Sequence, residues 1–131
     1  MLKYQIDHYR SLDDKIASIF YSMNLDKITT DSELLHTSFY KLRSQHGKFF
    51  EDLHFKIGGR FPYSDDLDQT FSGLMLAGLI SQEALWYKFY LISNEQRKII
   101  EKNIILKFSE AELGEIQEIA DVLKNEIKKG K

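Results

Sequence analysis

The sequence predicts a mainly α fold with a small β-hairpin (α+β), a winged helix-turn-helix-like domain with additional C-terminal helices, and three observations predict it. Capped amphipathic helical periods recur along the chain. One of them, opened by Ser64, stops at Gly78 and gives way at once to Leu79-Ile80 and an aromatic stretch from Trp86 to Ile92. Two further capped helical periods then follow. A helix delivered straight into a hairpin is the helix-and-wing pattern.

The elements follow in order. Ser11 caps a helix in which Leu12, Ile16, Ile19, Phe20 and Met23 form one stripe, and Asn24 closes it. Thr30-Asp31-Ser32-Glu33 has the spacing of a capping box, with Leu34, Leu35, Phe39 and Leu42 as the apolar face of a second helix ending near Gly47. From Lys48 to Ile57 the alternation of Leu53, Phe55 and Ile57 predicts a short strand or extended connection, broken by Gly58-Gly59. Ser64 opens the third helix, with Leu67, Phe71, Leu74 and Met75 on one face and Gly78 at the left-handed terminating position. Leu79-Ile80 and Trp86 to Ile92, separated by Ser81-Gln82-Glu83, form the wing. Ser93-Asn94-Glu95-Gln96 opens a helix with the face Ile99, Ile100 and Ile104, and Ser109-Glu110-Ala111-Glu112 opens the last, to about Lys128. Residues 1–131 thus make a single winged-helix-like domain, with 94–128 a C-terminal helical extension. The last helix carries Leu113, Ile116, Ala120, Leu123 and Ile127 at a/d-like spacing, which suits either packing back on its own domain or a dimer seam.

Composition narrows the function. A chain of 131 residues that is 43% hydrophobic and 29% charged is long enough to bury a core and too apolar to be extensively disordered. It has no cysteine, so disulfides, thiolate nucleophiles and Cys-containing zinc sites are excluded. No stretch approaches the apolar length of a membrane span, and the polar start Lys3 to His8 is unlike a signal peptide, so a cytoplasmic location and no membrane partner are expected.

The net charge of −2 gives no overall basic field for nucleic acid, but the charge is unevenly spread. From His36 to Arg60 five basic residues (Lys41, Arg43, Lys48, Lys56 and Arg60) face two acidic ones, whereas from Ser64 to Gly78 the only charges are Asp65, Asp66 and Asp68.

Catalytic signatures are missing: there is no phosphate loop, dinucleotide fingerprint, nucleophile elbow or H-E-x-x-H. Gly58-Gly59-Arg60 is better explained as a turn than as an anion nest. His36, His46 and His54 match no zinc spacing and are expected as surface or half-buried side chains. No catalytic residue, metal or cofactor is assigned, and an enzyme is the least supported class. In the aromatic hairpin only Lys88 interleaves a cation, so hairpin packing explains the rings better than base stacking.

Pro62-Tyr63-Ser64, followed by Leu67 and then Leu74-Met75-Leu76-Ala77-Gly78-Leu79-Ile80, resembles the "G-P-Y-S … L … L … G-L-I" signature of the YwgA-like and Panacea-type winged-helix proteins. The likeness covers roughly His36 to Ile92, with Phe61 where the glycine before proline is expected. The Panacea-type domain is found in antitoxins and phage-associated proteins. The resemblance implies a noncatalytic regulatory or protein-interaction module, antitoxin-like in the broad sense, and no catalytic residues.

Two functions follow. A protein-interaction module, with a protein partner or self-association, would use Tyr63, Asp65, Asp66, Asp68, Gln69 and Trp86 as its surface. The alternative is a transcriptional regulator binding double-stranded DNA through Lys41, Arg43, Lys48, Lys56 and Arg60. Asp65, Asp66 and Asp68 suit the helix dipole but would repel phosphate if that helix entered a groove.

Overall fold

The structure, a computed structural model, describes residues 11–129, so the polar start Lys3 to His8 lies outside the described residues. The fold is mainly helical with one small antiparallel sheet. In chain order it runs α1 (Leu12–Met23), β1 (Lys27–Thr29), α2 (Ser32–Gln45), α3 (Asp65–Leu76), β2 (Ser81–Gln82), β3 (Phe89–Leu91), α4 (Asn94–Asn103), a 3-10 turn (Ile105–Lys107) and α5 (Glu110–Lys129).

Local chemistry accounts for most helix ends. Ser11 Oγ accepts from the Asp14 amide, and Asn24 terminates α1 at φ 56°, a conformation asparagine tolerates. Ser64 caps α3, and Gly78 follows it at φ 78° while donating its amide to Met75 O. Ser93 with Gln96 forms a reciprocal capping box at α4, and Ser109 with Glu112 forms another at α5. Replacing Ser93 by Ala removes one acceptor from the first turn and is expected to cost about 1 kcal/mol of stability in urea melts. No loss would mean that Gln96, which also donates to Gly78 O and Ser81 Oγ, holds the turn unaided.

Several boundaries differ from the sequence expectation. The capping box at Thr30 is displaced by one residue, because Asp31 Oδ1 accepts from the Leu34 amide while the Thr30 hydroxyl donates to Tyr87 O. β1 carries no alternation long enough to read, yet it pairs with β3 in the register Lys27–Leu91, Ile28–Tyr90 and Thr29–Phe89. The first hairpin strand is the polar Ser81–Gln82, paired with Leu91 and Tyr90, rather than Leu79-Ile80, and the sheet order is β1-β3-β2. Residues 48–57 form turns that bury Phe50 and Leu53, then an extended run with a single bridge, Lys56 to Tyr63; Ile57 is exposed. Ile99 is also exposed, leaving Ile100 and Ile104 to bury α4.

One core gathers side chains from every helix. Phe20 stacks on Phe71 with ring centroids 5.7 Å apart, and Tyr90 lies 5.2 Å from Phe71, which fastens α1, α3 and β3 together. α5 lies across α1 and α2, burying Ile116, Ile119, Ala120, Leu123 and Ile127. Residues 94–128 are therefore part of the domain core and not an appendage. The a/d-like face is filled from within the chain, with Leu113 at its half-buried margin, so those side chains are not free to form a seam with another copy.

Candidate functional site

The start of α3 is held by a buried histidine. His36, on α2, is 1% exposed. The Ser64 amide donates to its Nδ1 at 2.9 Å, and its Nε2 lies 2.9 Å from Asp68 Oδ1. A backbone N–H can only donate, so Nδ1 must be the bare nitrogen, and the proton sits on Nε2 and is given to Asp68. Tyr63 stacks flat on the imidazole, with ring centroids 4.5 Å apart and planes 6° apart, and its hydroxyl donates to Asp68 Oδ2. Ser64 Oγ closes the set by capping the Leu67 amide. Both imidazole nitrogens are engaged within the chain, so neither is left to act as a base toward a substrate.

The hydrogen bond to Asp68 pushes the Tyr63 hydroxyl from its ordinary 10.0 up to about 12, with burial and the Asp68 charge acting in the same direction. A phenol raised in the fold contributes stability that is complete below pH 10 and lost as pH climbs toward 12. An ultraviolet titration of tyrosinate is expected to show a late ionisation near pH 12 that disappears in Tyr63→Phe. Persistence of that step in the variant would assign it to another phenol.

The acidic start of α3 is largely spent inside the chain. Asp65 pairs with Lys56 at 2.7 Å, Asp66 accepts from the His54 amide and its ring nitrogen, and Asp68 holds His36 and Tyr63. Of the six residues expected as an interaction surface, Gln69 and Trp86 are exposed, with Asp65 exposed but paired. Tyr63, Asp66 and Asp68 are half-buried and serve the fold.

The basic stretch is similarly occupied. Lys41 reaches Glu126, Lys56 reaches Asp65, Arg60 reaches Glu33, and Arg43 donates to Leu53 O. These surface pairs are individually weak, but each lowers the local positive field. Arg43, whose guanidinium meets only a backbone carbonyl, and Lys48 are the members of the set without an ion pair among the described residues.

The β2–β3 hairpin is the part the structure leaves most open. Leu85, Trp86 and Tyr87 are 79%, 70% and 61% exposed on the loop between β2 and β3. Tyr87 has φ 56°, a costly conformation for a bulky residue, and the loop is pinned by Thr30, whose hydroxyl and amide donate to Tyr87 O and Lys88 O. Within the aromatic stretch from Trp86 to Ile92 only Phe89–Leu91 is strand, which leaves Trp86 on the loop. The role of His36 was missed altogether. Its one sequence signal was its place beside Leu35, three residues before Phe39 on the buried side of α2.

An open groove of about 680 Å³ runs between the sheet and the start of α4, lined by Lys27, Ser81, Leu91, Asn94 and Ile99 among others. Within its wall the Gln96 side-chain amide donates to Gly78 O and Ser81 Oγ. Among the described residues no group of three or more His, Cys, Asp or Glu is placed to hold a metal ion, and no helix is long and apolar enough to cross a membrane. No family model matches the chain, and neither a curated protein nor a solved structure matches it.

Proposed function

We propose that this chain is a noncatalytic regulatory module of the winged-helix type that works by binding another protein. The observation that carries the reading is the outward side of α3. Asp65, Gln69, Ser72 and Leu76 are exposed along it, and the helix contains no lysine or arginine. In winged-helix regulators the helix before the hairpin enters the major groove, where phosphates flank it on both sides. A cation-free helix with three aspartates in its first turn has little to offer that environment, whereas an exposed Leu76 and a projecting aromatic wing suit a protein surface.

The element order α1-β1-α2-α3-β2-β3 with sheet order β1-β3-β2 supports the winged-helix description. The likeness to YwgA-like and Panacea-type proteins points the same way, toward an antitoxin-like role in the broad sense. Tyr63 and Ser64 of the shared motif have a structural use here, in the histidine lock. That lock also supports a noncatalytic reading, since its donors and acceptors are spent on one another.

The test is a titration against mixed-sequence duplex DNA at low and then moderate salt, with the solution mass recorded alongside. No binding at low salt is expected. Tight, salt-sensitive binding, weakened by charge reversal at Lys41 and Lys48, would instead establish the transcriptional-regulator alternative.

A further inference from the structure

The lock at the start of α3 closes around one protonation state of His36. The Ser64 amide donates to Nδ1 and Nε2 gives its proton to Asp68, so a second proton can go only to Nδ1, where it meets the Ser64 N–H head-on. His46 and His54 are built differently. Each meets a carboxylate through Nδ1, Glu115 at 2.8 Å and Asp66 at 3.0 Å, and a carboxylate only accepts, so a second proton on either ring breaks neither contact. We propose that His36 is an acid-released latch on the segment that leads into α3. The inference stands apart from the protein-binding reading, although the helix it fastens is the one whose outer side carries that reading.

The latched segment is short and otherwise lightly held. Lys56 and Tyr63 exchange two backbone hydrogen bonds, at 2.8 and 3.1 Å, and so close an exposed loop that includes Ile57 and Arg60. Its side-chain ties are the exposed ion pairs Lys56–Asp65 and Arg60–Glu33, neither of which involves a histidine. His36 holds the end of the loop, because Tyr63 stacks on its ring and the next residue, Ser64, is the buried N-cap of α3. A proton on Nδ1 strips the acceptor from that buried amide. The added charge gains no new hydrogen bond to Asp68, which already accepts the proton of Nε2. The charged and titratable groups around the ring are Asp68 and Asp65 on α3, Tyr63, Tyr90 of β3 within reach of the Asp68 charge, and Glu33 and Tyr40 a turn away on α2. All are carboxyls or phenols, which in model peptides titrate near about 4 and about 10, outside the histidine range. An unfolded chain takes up a proton on imidazole as pH falls through about 6.5, whereas the closed lock takes up none. The released state therefore binds more protons, so the latch is fully held above that range and loosens as pH falls below it.

The experiment follows the full chain, labelled with nitrogen-15, from about pH 7.5 to about pH 5, recording the imidazole nitrogens and the hydrogen-exchange protection of single amides, corrected for the intrinsic pH dependence of exchange. Protection of the Ser64 amide is expected to fall by up to about thirtyfold over that interval, the full effect of one proton taken up only on release, while the Phe20 amide in the core keeps its protection. In His36→Asn, whose shorter side chain offers the Ser64 amide a carbonyl that cannot take a proton, the acid-dependent part of the loss is expected to vanish. His54→Asn should leave it in place. Constant Ser64 protection across the interval, or an imidazolium at His36 with that amide still protected, overturns the inference, and both readouts need only the unaltered chain. Equal loss at the Phe20 amide, or an undiminished acid response in His36→Asn, overturns it as well. No outcome bears on the protein-binding reading, because neither a partner nor DNA is present.

Discussion

Phe20→Ala is expected to remove about 3–5 kcal/mol from the unfolding free energy. Phe20 is fully buried, and its ring joins three elements that are far apart in sequence: it stacks on Phe71 of α3 and lies 6.4 Å from Tyr90 of β3 while belonging to α1. Truncation removes the transfer free energy of the ring and leaves a cavity whose walls are helices already fixed by other contacts, so the site cannot collapse to fill it. Domains of this size are stable by about 5–15 kcal/mol in total, so the variant should populate unfolded molecules measurably at room temperature. Urea unfolding followed by far-ultraviolet circular dichroism reads the loss, and Trp86→Ser, at an exposed site, supplies a near-neutral comparison. A loss below about 1 kcal/mol in Phe20→Ala would mean that the three-ring contact does not hold these elements together.

The second large effect is expected at His36. His36→Ala leaves the Ser64 amide without its acceptor in a buried position, takes the donor from Asp68 and strips the ring on which Tyr63 stacks. An unmet buried amide costs about 1–3 kcal/mol and a lost aromatic pair about 0.5–1.5, so a destabilisation of about 2–4 kcal/mol is expected. His54→Ala is the control: its side chain also contacts a carboxylate, Asp66, but is 72% exposed, and its loss should stay within about 0.5 kcal/mol. Equal effects at the two histidines would show that the lock contributes no more than a surface pair. The same geometry fixes the tautomer, so nitrogen-15 correlation spectra of His36 are expected to show the proton on Nε2. A proton on Nδ1 would exclude the hydrogen bond from Ser64.

Helix starts were the most legible feature of the sequence, because a cap is a contact between residues three apart and needs nothing from the rest of the fold. Ser11, Ser64, Ser93 and Ser109 each act where their spacing placed them. Asp31 displaced Thr30 because the Thr30 hydroxyl and amide are claimed by the β2–β3 loop, a partner more than fifty residues away. The strands were poorly legible for a related reason. β1 and β2 are three and two residues long, too short for a period of two to declare itself, and they are strands only because β3 lies between them.

The candidate surfaces divide in the same way. Their charges could be counted from the sequence, but whether a charge is free depends on what stands opposite it. Lys56 and Asp65 were assigned to rival surfaces, basic and acidic, and in the fold they neutralise each other at 2.7 Å. Asp68, a candidate surface residue, anchors His36 and Tyr63. The a/d-like stripe of α5 left two destinations open, and α1 and α2 supply the one observed.

By itself the sequence determined where four of the five helices begin, which helix faces are apolar, and that the chain is mainly α with a small antiparallel sheet, since these follow from capping spacing and periodicity within a few residues. Tertiary structure alone decided which aspartates are spent, that His36 is the buried pivot of α2 and α3, and that Leu85, Trp86 and Tyr87 stand outside the core. Those properties depend on which side chains from distant segments arrive at the same place, and burial and charge pairing exist only after they have arrived.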